Sequence, residues 1–170
     1  MRKFLMPDLI LPTYDCVTPQ LCRERGICAI LSDIDNTLAP YEQPESDERI
    51  RTWLRELNEA GISVALISNN HADRVERFNS DLGLIAYPDA GKPFGKTLRR
   101  AMRELDSDPS CTAMLGDQLL TDALAGNLLG LTVLVVPPIR DKRTAFVRFK
   151  RWLERPVIRR YHKKHGGECR

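Results

Sequence analysis

The chain has 170 residues, of which 42% are hydrophobic and 29% are charged, and its formal net charge is +3. This length favours a single domain, and the composition excludes a disordered chain. No apolar run approaches the ~18 residues that a membrane span needs. Pro7 and Asp8 interrupt the N-terminal apolar stretch, which therefore lacks the form of a secretory signal, and we expect a cytoplasmic protein.

Short apolar runs alternate with segments of helical period along most of the chain. The predicted strands cover residues 27–33, 62–67, 84–87, 111–115 and 131–136, and the predicted helices cover residues 46–60, 72–82, 94–105 and 119–129. Strands that alternate with helices indicate right-handed crossovers. The sequence therefore predicts an α/β fold with a mainly parallel sheet of about five strands, covered by helices on both faces.

The carboxyl ends of the predicted strands carry polar residues, and ligands bind at this edge of an open α/β sheet. These residues are Asp33-Ile34-Asp35-Asn36-Thr37 after the first strand, Ser68-Asn69-Asn70 after the second, Lys92 after the third, and Gly116-Asp117 with Asp122 after the fourth. We expect the fold to bring these four loops to one edge. That edge would then hold four carboxylates, a hydroxyl and a lysine.

Such a set of groups is typical of a phosphate site. Clustered carboxylates repel one another and need a cation, and oxygen ligands from several loops suit Mg²⁺. An aspartate beside the metal can attack phosphorus, and a second aspartate two residues along can protonate the leaving oxygen and then activate water. One Asp-x-Asp or Gly-Asp pair alone would be ordinary turn chemistry, but four such features in order indicate a function.

The segment Asp33-Ile34-Asp35-Asn36-Thr37-Leu38 resembles the first motif, DxDxT, of the haloacid dehalogenase (HAD) superfamily. Ser68 resembles the second motif, Lys92 the third, and Gly116-Asp117 with Asp122 the fourth. The strings DIDNTL, ISNN, GKP and GDQLLTD look closest to the YqeG-like branch of subfamily IIIA, which is related to phosphatidylglycerophosphate phosphatases. The resemblance implies a three-layer Rossmannoid fold.

The resemblance also implies the catalytic roles. Asp33 would be the nucleophile and a magnesium ligand. Asp35 would be the general acid and base, and its backbone carbonyl would also bind the metal. Lys92 would bind phosphate and orient Asp33. A second aspartate at Asp35 favours a phosphatase over a dehalogenase, whose motif lacks it.

The remaining motif residues would bind the phosphate and the metal. Thr37, Ser68 and Asn69 are expected at the phosphate, and Thr37 would also support the strand-end turn. Asp117 would be a further magnesium ligand, while Asp122 would steady the metal ligands or Lys92. These assignments again follow from the resemblance.

The spacing of the motifs leaves no room for a sizeable cap domain. Only 34 residues lie between Asp33 and Ser68, and 23 between Ser68 and Lys92. An uncapped site can admit a phosphate that is presented on a lipid surface, a protein, a nucleic acid or a glycan. Small substrates remain open as an alternative, because neighbouring subunits can serve as lids.

A basic segment closes the chain. Residues 140–170 hold twelve Lys and Arg against three Asp and Glu, a charge of +9 on a body of −6, which is typical of contact with something anionic. Residues 143–164 have a helical pattern, with Phe146, Phe149, Trp152 and Leu153 on one face. We favour packing of this face on the sheet or on a partner chain. Contact of residues 159–164 with an anionic membrane is the alternative, and no motif supports a nucleic-acid partner.

The cysteines are Cys16, Cys22, Cys28, Cys111 and Cys169, an odd number without a Cys-x-x-Cys pair. We predict free, reduced thiols, because cytosolic disulfides are uncommon. Near the other end of the chain, residues 4–14 are apolar and proline-rich. We expect them to pack as an arm in preference to entering a membrane surface.

The sequence therefore predicts a Mg²⁺-dependent HAD phosphatase that hydrolyses a phosphate monoester through an aspartyl phosphate, with phosphatidylglycerophosphate as the favoured substrate. A phosphatase for soluble nucleotide or sugar phosphates is an alternative, as is a phosphate- or RNA-binding scaffold. We divide the single domain into an N-terminal arm (1–26), a catalytic core (27–139) and a basic helix or tail (140–170). The expected location is cytoplasmic, with peripheral contact at the inner face of the membrane.

Overall fold

The computed structural model describes residues 2–140 and 145–165. Its strands are β1 (Leu9–Ile10), β2 (Ala29–Ser32), β3 (Ser63–Ile67), β4 (Ile85–Tyr87), β5 (Thr112–Gly116) and β6 (Thr132–Val135). Its α-helices are α1 (Pro19–Arg25), α2 (Glu48–Glu59), α3 (Ala72–Asn79), α4 (Lys96–Glu104), α5 (Leu124–Leu129) and α6 (Ala145–His165). A π-helical turn, Leu119–Ala123, precedes α5, and two 3-10 turns lie at Arg2–Leu5 and Tyr14–Cys16.

The six strands form one sheet in the order β1-β6-β5-β2-β3-β4, and every pair is parallel. Ser32 at the end of β2 lies opposite Leu66 of β3 and Leu115 of β5. The three central strands therefore end at the same level, and the residues that follow them meet. The predicted α/β fold with a parallel sheet is confirmed.

Alternate side chains of the buried strands pack into two hydrophobic layers, one on each face of the sheet. Ile30 of β2 belongs to the layer that contains Trp53 of α2 and Phe78 of α3. Its neighbour Leu31 belongs to the opposite layer, with Leu98 of α4. Because both faces of the sheet are covered, the central strands are mostly apolar and carry their polar residues at the ends, as expected for a parallel sheet. The described residues form three layers and include no separate cap.

The N-terminal residues pack against the body, as predicted, and they also supply elements that the sequence reading did not include. β1 extends the sheet by pairing with β6, and α1 precedes β2. Tyr14 is buried and meets the ring of Trp53 edge to face at 5.1 Å. The indole nitrogen of Trp53 donates a hydrogen bond to the carbonyl of Val17 at 3.0 Å. The division of the chain into arm, core and tail stays a prediction.

The prediction of free thiols is wrong for one pair. Cys28 and Cys111 stand just before the neighbouring strands β2 and β5, and they are joined by a disulfide. Their Cα atoms lie 5.2 Å apart, within the range that a disulfide spans. Adjacent parallel strands bring the two cysteines together although 83 positions separate them. Cys16 and Cys22 are free, and Cys169 lies outside the described residues.

In the described part of helix α6, Trp152 and Leu153 do not pack on the sheet, and packing of the predicted face on a partner chain stays a prediction. Glu154, Val157 and Tyr161 are buried, whereas the side chains of Trp152 and Leu153 are 61% and 41% exposed. The side chains of Phe146 and Phe149 lie outside the described residues. Within residues 2–140 and 145–165, no helix has the length and hydropathy to cross a membrane.

Candidate active site

The loop after β2 places Asp33 at the centre of the sheet edge. The Asp33 amide donates to the Leu115 carbonyl of β5 at 2.9 Å, and the chain then turns. The carbonyl of Ile34 accepts a bond from the amide of Thr37 at 3.2 Å, and Asn36 takes a φ of 63°, a left-handed value that Asn tolerates. This turn brings the Thr37 hydroxyl back to Asp33, where it donates to Oδ2 at 3.4 Å.

Lys92 joins two of the predicted carboxylates. Its Nζ lies 2.8 Å from Oδ1 of Asp33 and 2.7 Å from Oδ1 of Asp122, and all three residues are buried. Burial opposes the ammonium charge, but the carboxylates of Asp122 and Asp33 outweigh that effect and raise the pKa of Lys92 above its ordinary value. Lys92 is therefore a permanent cation that fixes the direction of the Asp33 side chain.

The loop after β3 holds Lys92 in place. The side-chain amide of Asn69 donates to the Lys92 carbonyl at 3.0 Å and accepts from the Lys92 amide at 2.8 Å. Ser68 is buried, and its Oγ accepts a bond from the amide of Asn70 at 3.0 Å. Asn69 thus fixes the backbone of the lysine, and the contacts of Ser68 and Asn69 with phosphate stay predictions.

The loop after β5 supplies the remaining carboxylates. Asp122 lies in the π-helical turn, and its Oδ2 accepts a bond from the Gln118 amide at 3.1 Å. A Cβ at Gly116 would lie 2.3 Å from Cγ and 2.4 Å from Cβ of Asp122, far inside contact distance. Only glycine therefore allows the turn to fold back on the strand end and to place Asp122 beside Lys92.

Carboxylate oxygens of Asp33, Asp117 and Asp122 lie within 4.8 Å of one another, and all three side chains are buried. Three carboxylates face one ammonium group, that of Lys92, so the cluster carries excess negative charge in a region with little water. A divalent cation would neutralise that excess, and its oxygen-only donors suit a hard ion such as Mg²⁺. The donor set therefore fits a divalent cation. Two predicted ligands, Asp33 and Asp117, lie in the cluster together with Asp122, and the predicted set of Asp33, Asp35 and Asp117 stays a prediction.

The electrostatics of Asp33 agree with this need for a cation. Burial disfavours its charged form and raises the pKa of Asp33 from 3.8 to about 6, although Lys92 acts in the opposite direction. The neighbouring carboxylate of Asp122 adds to the rise. A carboxylate in this position is poorly stabilised until further positive charge arrives.

Asp35 lies in the same turn, but its carboxylate is held by a different set of groups. Arg74 Nε and Nη2 each lie 3.2 Å from Oδ1, and the side-chain amide of Asn70 donates to Oδ2 at 3.0 Å. The sequence reading gave neither Arg74 nor Asn70 a role. Nothing in the pattern of α3 separates Arg74 from the exposed Arg77 one turn later.

The matches to known proteins agree with this geometry. Residues 31–130 match the family model of haloacid dehalogenase-like hydrolases. The chain is 35% identical over 158 residues to the probable phosphatase YqeG of Bacillus subtilis (strain 168), which covers 93% of this chain and 92% of that protein. The chain belongs to the haloacid dehalogenase-like hydrolase family. The prediction of an HAD-family phosphomonoesterase is thereby confirmed.

Solved structures share the HAD fold with this hydrolase. The cobalt-bound deoxy-D-mannose-octulosonate 8-phosphate phosphatase YrbI of Haemophilus influenzae aligns with a TM-score of 0.54 at 14% identity, over 85% of this chain and 95% of that one. CbbY of Rhodobacter sphaeroides, solved with xylulose-(1,5)bisphosphate, aligns with a TM-score of 0.55 at 18% identity, over 71% of this chain and 90% of that one. At these identities the likeness concerns the fold.

Proposed function

We propose that this HAD-family enzyme is a Mg²⁺-dependent phosphatase that acts on phosphatidylglycerophosphate through a phosphorylated Asp33. The observation that carries the proposal is the buried Asp33 carboxylate, which Lys92 fixes from one side inside a cluster of acids. A nucleophile needs a fixed direction and positive charge around the phosphate that it attacks. The loops of β2, β4 and β5 supply both.

The protein groups divide the reaction between them. Asp33 attacks phosphorus, and Lys92 holds Asp33 in direction while it neutralises charge on the phosphoryl oxygens. Asp35 gives a proton to the leaving oxygen and later takes one from the attacking water. Asp33 and Asp117, with the Asp35 carbonyl, would hold Mg²⁺, which supplies further positive charge for the phosphoryl oxygens when bound.

The similarity to the probable phosphatase YqeG supports phosphatase chemistry, and the open sheet edge supports a phosphate carried on a large or surface-bound molecule. The described residues contain no cap over the cluster of Asp33, Lys92 and Asp117. A substrate held in a bilayer can therefore bring its headgroup to this edge without a lid having to open. Phosphatidylglycerophosphate has the terminal phosphate monoester that the proposed chemistry requires.

Helix α6 supports contact with an anionic membrane. A groove of about 560 Å³ opens beside it, and its lining combines apolar and basic side chains. The lining residues are Leu5, Leu120, Leu124, Trp152, Leu153, Arg155, Pro156, Val157 and Arg159. Exposed aromatic and aliphatic groups beside arginines are typical of helices that lie at a lipid interface.

The groove lies close to the catalytic loop in the chain. Leu120 lines it and belongs to the π-helical turn that also carries Asp122. Within residues 152–164 the acidic residue is Glu154, which is buried, so the exposed charge of this part of the helix is basic. A bilayer that binds α6 would therefore meet the protein beside the loop that carries Asp117 and Asp122.

A phosphate-release assay tests the proposal. The wild type is given phosphatidylglycerophosphate in mixed micelles, lysophosphatidic acid, sugar phosphates, nucleotides and p-nitrophenyl phosphate. We expect the highest kcat/KM for phosphatidylglycerophosphate and loss of turnover in EDTA, with recovery when Mg²⁺ is restored. Asp33→Asn should abolish turnover and keep the fold, because an amide is a poor nucleophile.

The exposed Asp73→Asn is the matched control, because it makes the same chemical change on the surface of α3. Wild-type turnover by Asp33→Asn at saturating Mg²⁺ would exclude the mechanism. A higher kcat/KM for a nucleotide or a sugar phosphate would replace the lipid substrate with a soluble one. Absence of turnover on the whole panel, together with tight phosphate or RNA binding, would favour a scaffold.

A further inference from the structure

Both carboxylate oxygens of Asp35 are engaged by side chains from the loop and helix that follow β3. Arg74 approaches Oδ1 with Nε and Nη2, each at 3.2 Å, and Asn70 donates to Oδ2 at 3.0 Å. The side chains of Arg74 and Asp35 are 12% and 16% exposed, so this pair is largely shielded from water. Ion pairs in such surroundings are screened much less than surface pairs.

Arg74 is itself fixed by groups outside the catalytic cluster. Its Nη1 donates to the carbonyl of Pro44 at 3.1 Å, and its guanidinium lies 5.3 Å from the ring centre of Phe78. Nε and Nη1 therefore make hydrogen bonds to protein, while Nη2 is buried and lies 3.2 Å from Oδ1 of Asp35 without a hydrogen bond. A guanidinium held in this way presents a rigid fork to the carboxylate.

We propose that Arg74 and Asn70 are positioning residues for Asp35, a role that rests on the proposed function. They hold the carboxyl group in the direction from which it serves the leaving oxygen. In the first step the Asp33–phosphorus bond forms, the bond from phosphorus to the leaving oxygen breaks, and the Asp35 proton moves to that oxygen. In the second step water attacks phosphorus, its proton moves to Asp35, and the Asp33–phosphorus bond breaks.

Direct substrate binding by Arg74 is the competing role, and the contacts disfavour it. Nε and Nη1 of Arg74 already donate to Asp35 and Pro44, and Nη2 is buried, so a phosphate could reach the guanidinium only if Arg74 moved. Lys92 already supplies a buried cation 2.8 Å from Oδ1 of Asp33. The arrangement accordingly assigns phosphate charge to Lys92 and orientation of the proton donor to Arg74.

The test compares two leaving groups. An alkoxide such as that of β-glycerophosphate needs a proton as it leaves, whereas p-nitrophenolate leaves readily without one. The value of kcat/KM reports steps up to the first irreversible one, which is transfer of the phosphoryl group to Asp33. Arg74→Gln should lower kcat/KM for β-glycerophosphate about 10- to 100-fold, as expected for a misplaced catalytic group. The loss for p-nitrophenyl phosphate should be about threefold or less.

Matched variants separate positioning from a structural role. Arg77→Gln alters an exposed arginine on the same helix and should change neither value. Arg74→Lys should recover part of the β-glycerophosphate activity, because the charge returns without the fork. Thermal unfolding of each variant measures stability separately, since a merely destabilised enzyme would lose activity on both substrates by the same factor.

A double variant completes the test. In an Asp35→Asn background, Arg74→Gln should have little further effect on β-glycerophosphate, because the group that Arg74 orients has gone. Equal losses on both substrates, or a full Arg74 effect that persists without Asp35, would overturn the proposal. Those outcomes leave the proposed function intact, whereas wild-type turnover by Asp33→Asn would remove the basis for both.

Discussion

Burial decides the properties of single side chains at this site. Lys92 is chemically the same as the lysines of the basic C-terminal segment, but it lies between the carboxylates of Asp33 and Asp122. Lys92 therefore stays charged, and its two ion pairs hold its ammonium group in place. The same burial makes the charge of Asp33 costly, so metal binding and nucleophile ionisation support each other.

Gly116→Ala tests the close approach of the π-helical turn to the strand end. The added Cβ would overlap Asp122, so we expect a loss of about 1–3 kcal/mol in unfolding free energy and weaker Mg²⁺ activation. Urea unfolding and a Mg²⁺ titration of activity measure the two effects. Gly61→Ala is the control: its φ of 77° makes it strained, but no atom lies within 4 Å and the site is remote. A Gly116→Ala protein with wild-type stability and metal response would contradict the packing argument.

The raised pKa of Asp33 predicts a pH effect on the metal-free protein. Burial raises this pKa from 3.8 to about 6, so the folded protein binds the Asp33 proton more tightly than the unfolded chain does. The resulting contribution to the free energy of unfolding is complete below about pH 4 and is lost as pH rises through about 6. Asp33→Asn removes that loss. In EDTA, the variant should therefore gain stability relative to the wild type between about pH 4 and pH 6, as measured by urea unfolding.

Mg²⁺ should reverse the order, because the wild type gains stability from the ion and Asp33→Asn gains less. Asp73→Asn, on the exposed surface of α3, provides the baseline for this comparison. A stability difference between Asp33→Asn and the wild type that stays constant across this pH window would count against the burial argument.

At the residue scale, strand ends were a reliable guide to the site. Asp33, Lys92, Asp117 and Asp122 were predictable because each follows a strand, and parallel strands end at one edge. Arg74 was not, because its importance comes from a three-dimensional contact with Asp35 and leaves no periodic signal. The disulfide between Cys28 and Cys111 was not predicted, because the rarity of disulfides in cytosolic proteins favoured free thiols. The positions of both cysteines, just before two strands that proved to be neighbours, were already visible in the sequence.

At the scale of elements, helix α6 is joined to the catalytic loop by one buried acid. Oε1 of Glu154 accepts bonds from the amides of Leu119 at 2.9 Å and Leu120 at 3.2 Å. Val157 and Tyr161 continue the contact, and the Tyr161 hydroxyl accepts a bond from the Ile10 amide at 3.1 Å. The basic helix is therefore attached both to the turn that carries Asp122 and to the edge strand.

Glu154→Ala should loosen this attachment. Two backbone amides would lose their acceptor inside the protein, and we expect a loss of about 1–3 kcal/mol in unfolding free energy. Glu154→Gln keeps an oxygen acceptor and should lose less. Urea unfolding gives the stability, and a Mg²⁺ titration shows whether the turn that holds Asp122 has moved. Equal stability of all three proteins would mean that the contact contributes little.

The sequence predicted the existence of the central elements better than their ends. The predicted helix 46–60 starts at Ser46, but α2 starts at Glu48, because Asp47 caps the helix by accepting from the Ile50 amide. Ser46 donates to Asp81 instead. Either residue type suits a cap, so only the long-range partner decides. β1 was missed because two residues give no measurable alternation and depend on β6 for pairing.

At the scale of the whole molecule, residues 140–170 are basic, whereas the rest of the chain is acidic and holds an active site without a cap among the described residues. The described part of α6 presents Arg155, Arg159, Arg160, Lys163 and Lys164 on its exposed surface. Attraction between this surface and an anionic bilayer should be screened over ~8–10 Å at physiological ionic strength. Binding should therefore depend on both lipid charge and salt.

A vesicle sedimentation assay measures that dependence. Binding should rise with the fraction of anionic lipid and fall with added salt. Charge reversal at Arg159, Arg160, Lys163 and Lys164 should weaken binding and the turnover of vesicle-borne lipid phosphate. Hydrolysis of p-nitrophenyl phosphate should be nearly unchanged, because the substituted residues lie outside the catalytic cluster.

The matched control reverses the same number of charges on another helix. Lys96, Arg99, Arg100 and Arg103 are exposed on α4, so their reversal gives the same change in net charge at a different surface. Equal effects of the two sets would indicate a general charge effect without a defined surface. Salt-independent binding, or no binding, would favour a soluble substrate.

The order of the strands has a consequence for how the chain reaches this fold. β1 comes from the start of the chain and pairs with β6, which comes near its end, and α6 then contacts the same edge through Tyr161. On the ribosome, Leu9 and Ile10 emerge long before the strand that will accept them has been made. Closing so long a loop costs entropy, which only the completed sheet can offset. We therefore expect the pairing of β1 with β6 to form last, after synthesis of β6. The central strands β2, β3 and β5 and the active-site loops that follow them should form earlier.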